Sequence, residues 1–204
     1  MRRRRKLKLR KPKKLLYILC EGKTEIKYFD DIFHSIPSNR KLYHPNICQP
    51  KDYSPLGIVN KAIEEKRSAK RSKIPTNDLI IWVVFDKDNH SGLAEAFNKT
   101  RNTDIKIAFS SISFEYWILL HYARTRKAFY DCQELIRYIK QHYDPNYDKR
   151  NDHYDQLKEK MNDAIENGMW LKNEVVSSMS FSDNIFDENP YTDVHELVIV
   201  LNNL

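Results

Sequence analysis

Apolar positions along the chain fall into blocks of two kinds. Leu15-Leu16-Tyr17-Ile18-Leu19-Cys20 and Leu79-Ile80-Ile81-Trp82-Val83-Val84-Phe85 are unbroken runs of strand length, the pattern of a strand buried on both faces of a parallel sheet. Residues 105–109 form a shorter run and 43–48 a weaker one. Between these blocks the apolar residues are three and four apart. Ile26, Phe29, Ile32 and Phe33 predict a helix over 24–35, and Ile58, Val59, Ala62 and Ile63 predict one over 55–70. Residues 91–101 and the apolar stretch 114–123 also read as helices. Strands alternating with helices at this spacing predict an α/β domain with a parallel sheet.

Beyond residue 124 the strand blocks stop. Residues 128–142 and 153–167 read as helices separated by the turn-rich segment DPNYDKRND, and Pro190 and Thr192 precede a last helix over 193–201. The expected organisation is a flexible arm at 1–14, an α/β domain at 15–123, and a helical C-terminal extension at 124–204 packed on it. The 204 residues, 41% of them hydrophobic and 12% aromatic, suffice for a folded core and exclude a wholly disordered chain. No apolar run approaches the ~18–20 residues of a membrane span, and the run after the basic start is too short for a signal-peptide core. A cytoplasmic protein that does not engage membranes is expected. Three cysteines without a Cys-x-x-Cys pair support neither a disulfide framework nor a zinc ribbon.

Charge changes the picture once it is located. The net charge is +7. Arg2, Arg3, Arg4, Arg5, Lys6, Lys8, Arg10, Lys11, Lys13 and Lys14 put +10 into the first 14 residues, so the remaining chain carries 25 bases against 28 acids. A mildly acidic body bearing a basic arm suits a polyanion, because each Lys or Arg that meets a phosphate releases counterions. RNA or DNA is the expected partner of this arm; a solubilising tail is the bland alternative. The arm has no amphipathic apolar face for a membrane surface.

In a parallel sheet the strands ending at Cys20 and Phe85 finish on one edge, the carboxyl edge where open α/β sheets place ligands. Glu21 follows the first strand, and Asp86 and Asp88 follow the other. Glu25 lies one helical turn beyond Glu21. Acids gathered this way repel one another unless a cation sits among them, and hard oxygen donors select Mg²⁺ or Mn²⁺. Such an ion suits phosphoryl transfer. Taken singly, each acid has a plainer role, such as a favourable charge at a helix start.

At these residues the chain resembles the Toprim domain, through Cys20-Glu21-Gly22-Lys23-Thr24-Glu25 and the strand leading to Asp86-Lys87-Asp88. It is more narrowly similar to RloB-like proteins, through LYILCEGKTEIKYF, the segment from Ser110 to Tyr122, and Asn189-Pro190-Tyr191-Thr192. The family pattern Ser-Asn-Pro-Ser-Phe-Glu reads Ser110-Ser111-Ile112-Ser113-Phe114-Glu115 here. The resemblance implies a Toprim-like Rossmannoid parallel sheet flanked by helices, and a Mg²⁺- or Mn²⁺-dependent nuclease. RNA, tRNA included, or DNA would be its substrate, and phage defence beside an ATPase its setting. It makes Glu21, Glu25, Asp86 and Asp88 metal ligands, with Glu21 the leading general acid or base and Glu115 a candidate fifth acid. The alternative is a non-catalytic nucleic-acid-binding or ATPase-docking subunit. Oligomerisation is left open.

Other positions carry two readings. Lys23 and Lys87 either hold a scissile phosphate or offset the neighbouring acids. Glu115 either meets the metal or its water, or is a first-turn charge behind an N-cap at Ser113. His121 reads as a core histidine. Tyr138, Tyr143, Tyr147 and Tyr154 are available for base stacking, with nothing to single one out. With four glycines and no Gly-x-x-x-x-Gly-Lys-Ser/Thr segment, P-loop ATP hydrolysis is excluded.

Overall fold

The computed structural model describes residues 13–87 and 92–204. Residues 2–11 of the basic arm, Asp88, and the expected start of a helix at Ser91 lie outside the described residues. The predicted apolar blocks form the strands β1 (Lys14–Cys20), β2 (Tyr43–Cys48), β3 (Leu79–Asp86) and β4 (Lys106–Ser111). They pair in parallel, in the order β2-β1-β3-β4. A fifth strand that the sequence pattern did not predict, β5 (Tyr191–Thr192), joins the edge antiparallel to β4. The chain is an α/β protein with a mostly parallel, Rossmannoid sheet flanked by helices.

The helices between the strands follow the apolar spacing: α1 (Lys23–Ser35), α3 (Pro55–Arg71), α4 (Leu93–Thr100) and α5 (Glu115–Leu120). A short α2 (Pro37–Leu42), started by Pro37, was not expected. Ser54 caps α3 by accepting from the Gly57 N–H at 3.1 Å, which satisfies one of the orphan donors of the first turn. Helices α3 and α4 pack on one face of the sheet and α1 on the other.

The C-terminal third adds α6 (Cys132–His142), α7 (Tyr154–Leu157), α8 (Met161–Ser178) and α9 (Val194–Asn202). Helix α6 starts four residues later than its apolar spacing suggested, because the Asp131 side chain caps it through the Glu134 N–H. Helix α8 runs to Ser178, well past the expected 167, with Leu171 and Val175 continuing its buried stripe. Gly168 lets it approach α9: a Cβ there would come within 3.0 Å of the His195 ring. His121 sits in the core, its Nε2 3.0 Å from the Tyr28 hydroxyl and its Nδ1 3.0 Å from the Trp117 carbonyl. Burial holds its pKa down at about 4, so it is a neutral, structural histidine.

Asp193 fastens the C-terminal segment to the sheet. Its Oδ1 accepts from the Phe109 N–H at 2.6 Å and its Oδ2 from the Tyr191 hydroxyl at 3.1 Å, while its own N–H donates to the Phe109 carbonyl at 3.1 Å. Hydrogen bonds to charged groups contribute about 1.5–3 kcal/mol each. Asp193→Ala is expected to lower stability by about 2–3 kcal/mol in urea unfolding, and Asp193→Asn, which keeps an acceptor, by less.

Candidate functional site

Pairing of β1 with β3 sets the ends of both strands side by side. Cys20 is in register with Val84, and the Glu21 N–H extends the ladder to the Val84 carbonyl at 3.0 Å. Glu21 then crosses the edge, where its Oε2 accepts from the Asp86 N–H at 3.1 Å. In a sheet ordered β2-β1-β3-β4 this pair marks the switch point, where successive connections leave for opposite faces and a crevice opens between them.

Glu25 is in the first turn of α1 and only 5% exposed. It is folded back towards Gly22, where an added Cβ would come within 2.5 Å of Oε2. Its own backbone N–H stabilises the carboxylate there, yet burial pushes the pKa up to about 7, with Glu115 and Glu21 adding to the rise and Lys149 opposing it. Asp86 keeps part of its surface in the cleft. Its carboxyl is nevertheless held well above the usual range, first by burial and then by Glu25, Glu115 and Glu21, against the Phe114 N–H.

Glu115 opens α5 and is likewise 5% exposed. Its Oε2 accepts from the Cys132 thiol at 3.4 Å. Burial, with Glu115 beside it, pushes the Cys132 pKa up to about 12, which keeps the proton on sulfur for that bond. Ser113 does not cap the helix. Phe114 occupies the cap position with no side-chain cap hydrogen bond, and the Ser113 side chain is buried beside Cys132. Glu115 therefore belongs electrostatically with Glu25 and Asp86.

The four acids open into a cleft of about 1030 Å³. Its wall includes Lys149, Arg150 and Asn151 of the turn-rich segment 144–152. The Thr24 hydroxyl donates to the Lys149 carbonyl at 2.9 Å and Lys27 pairs with Asp152 at 3.5 Å, tying the segment to α1 and bringing Lys149 and Arg150 to the cleft. Arg150 also grips Asp148 at 2.6 Å. A charged turn shows in sequence; the helix it will lie on does not. Cys132 is hidden from sequence for the same reason, since its role is a contact with Glu115 from another helix; the part Gly22 plays depends on which way the Glu25 side chain folds.

The other expected residues divide. Lys23 lines the cleft. Lys87 does too, but its Nζ donates to the Asp187 carbonyl at 2.9 Å, which directs it at the C-terminal segment. Lys13 and Lys14 are at the opposite edge: Lys13 donates to the Arg40 carbonyl at 2.7 Å and Lys14 starts β1, about 20 Å of strand from Cys20. The four tyrosines considered for base stacking are packed against other rings. Tyr147 stacks on His153 at 4.5 Å and Tyr143 on Tyr122 at 5.4 Å, while Tyr138 meets Phe129 at 5.3 Å and Tyr154 meets Tyr28 edge-on at 6.4 Å.

Among the described residues no three of His, Cys, Asp and Glu are placed as a ready metal cage. The donor set is nonetheless chemically right for a hard divalent cation, all carboxylate and mutually repelling, and fits Mg²⁺ or Mn²⁺ sharing its coordination with water or substrate oxygen. Among the described residues no helix is long and apolar enough to cross a membrane.

An α/β sheet with an acid-lined cleft at its switch point defines the class of protein. A family model described as RloB-like protein matches residues 16–201, and the chain belongs to the RloB-like family. No curated protein and no solved structure matches it significantly.

A carboxyl whose pKa is raised on folding costs stability as pH climbs from its unfolded value to its folded one. For Glu25 that window runs from 4.5 to about 7. In EDTA, Glu25→Gln is expected to melt above wild type at pH 8, and the gap is expected to close as pH falls towards 4.5.

Proposed function

We propose that the chain is a divalent-metal-dependent nuclease of the Toprim type, hydrolysing phosphodiester bonds in RNA, tRNA included, or in DNA. One observation carries the reading. Glu21, Glu25, Asp86 and Glu115 converge at the switch point, and their mutual repulsion helps to push Glu25 up to about 7 and Asp86 well above its usual range. Carboxylates gathered closely enough to raise one another's pKa suit a cation.

Glu21, Glu25 and Asp86 would hold Mg²⁺ or Mn²⁺, with Asp88 contributing from beyond the described residues. When bound, the ion supplies Lewis acidity and charge stabilisation at the leaving oxygen. Glu21, fixed through Oε2 to the Asp86 N–H, is assigned to take the proton of the attacking water. Lys149 and Arg150 meet phosphates arriving at the cleft, and Lys23 stands beside them. Glu115 is held at the rear of the cluster by Cys132. The basic arm adds sequence-independent attraction for the polyanion. A cytoplasmic role in phage defence beside an ATPase belongs to the same proposal and is supported by the family resemblance.

Asp86→Asn separates catalysis from binding. Wild type should cleave RNA or DNA pools with Mg²⁺ or Mn²⁺, and the variant should fall to background while still binding oligonucleotide. Metal at 100 times its Kd should stabilise wild type by about 2.7 kcal/mol, seen as a rise in melting temperature that the variant largely loses. Binding without cleavage by either protein would instead favour a non-catalytic nucleic-acid-binding or ATPase-docking subunit.

A further inference from the structure

Two large rings stand in solvent at the acid cleft. Tyr130 is 92% exposed and Tyr53 is 55% exposed, and both line the cleft that holds Glu21, Glu25, Asp86 and Glu115. The tyrosines first considered for base stacking are engaged with other rings; these two face water.

Their backbones are held although their rings are not buried. The Tyr130 N–H donates to Glu134 Oε2 at 2.7 Å, and the next residue, Asp131, caps α6 through the Glu134 N–H at 2.7 Å. Tyr53 lies between Asp52 and Ser54, whose hydroxyl and N–H both donate to Asp52 Oδ1, at 2.7 and 3.1 Å. The start of that loop is fixed to the site, since the Gln49 amide donates to the Glu21 carbonyl. Cys132, two residues after Tyr130, reaches Glu115. Each ring is therefore carried on a framework tied to the acids, so placing it against a ligand costs little ordering.

Exposed rings on fixed frames beside cations form a stacking platform. Every base has a π-face, and backbone phosphates run alongside it to meet Lys or Arg. Here Lys149 and Arg150 share the cleft with both tyrosines. Inside a duplex those faces are already stacked, and nucleic acid with unpaired bases is what offers them. Building on the nuclease reading, we infer that the cleft takes single-stranded nucleic acid, whose bases stack on Tyr130 and Tyr53 while its phosphates pass Lys149 and Arg150 to reach the acids.

The test uses the full chain with Ca²⁺ in place of Mg²⁺, so that binding is read without turnover. Fluorescence anisotropy is measured with a 12-nucleotide oligo(U), the matching oligo(dT) and a 12-base-pair duplex at one salt concentration. Tyr130→Ala and Tyr53→Ala should each weaken one or both single strands by about 5- to 100-fold and leave the duplex within twofold. The two single strands tell ribose from deoxyribose. Tyr130→Trp should restore affinity, and its added fluorescence should be quenched as a single strand binds. Equal loss on strand and duplex, or no loss in either alanine variant, overturns the inference. Tyrosine-dependent binding without Mg²⁺-driven cleavage would keep this inference and discard the nuclease. Cleavage with no tyrosine dependence would do the reverse.

Discussion

Two carboxylates, Glu21 and Asp86, are brought together because β1 and β3 are paired, and much of the molecule can be understood from that constraint. Their strands are joined by backbone hydrogen bonds that cannot lengthen to relieve repulsion, and the Asp86 N–H is itself committed to Glu21. Glu25 and Glu115 are added from the first turns of two helices. The sheet and its helices bury enough apolar surface to hold this arrangement. Leu16, Ile18, Val83 and Phe85 on the two central strands are fully out of solvent, at about 1.5–3 kcal/mol for each large apolar side chain. Hydrophobic burial thus holds in place an electrostatic arrangement that would not assemble alone.

The local device at Glu25 shows how finely this is done. A residue with a Cβ at position 22 would meet the carboxylate, and the atom it meets is the far end of a flexible side chain. The glycine is thus a requirement of the site and hardly one of the fold. Cys132 plays a comparable part for Glu115, because a thiol that keeps its proton can donate to a buried carboxylate without adding charge.

Much of this was legible in the sequence, for a physical reason. Strands buried on both faces leave unbroken apolar runs, so β1 and β3 and the acids after them could be placed on one edge before any contact was known. Helix α1 was equally plain from Ile26, Phe29, Ile32 and Phe33. What could not be read depended on contacts between distant segments. Strand β5 is two residues long and carries no periodicity, and its place beside β4 is decided by Asp193 and Thr192. The extra turns of α8 come from packing on α9. The segment 144–152 reads as a solvated turn until Thr24 and Lys27 are seen to hold it. Nothing in the sequence separates Tyr138, Tyr143, Tyr147 and Tyr154, which pack against other rings, from Tyr53 and Tyr130, which stand exposed in loops where no periodicity marks them.

The tie between Asp193 and Phe109 bridges 84 residues of chain, and the Asp187 carbonyl that receives Lys87 lies 100 residues beyond it. A ribosome delivers these partners in order. While the first four strands are already outside the exit tunnel, the edge of β4 still lacks β5 and Lys87 still lacks the Asp187 carbonyl. The acid cleft is therefore finished only after translation has passed residue 193. Until then the nascent chain has the acids but not the completed wall around them.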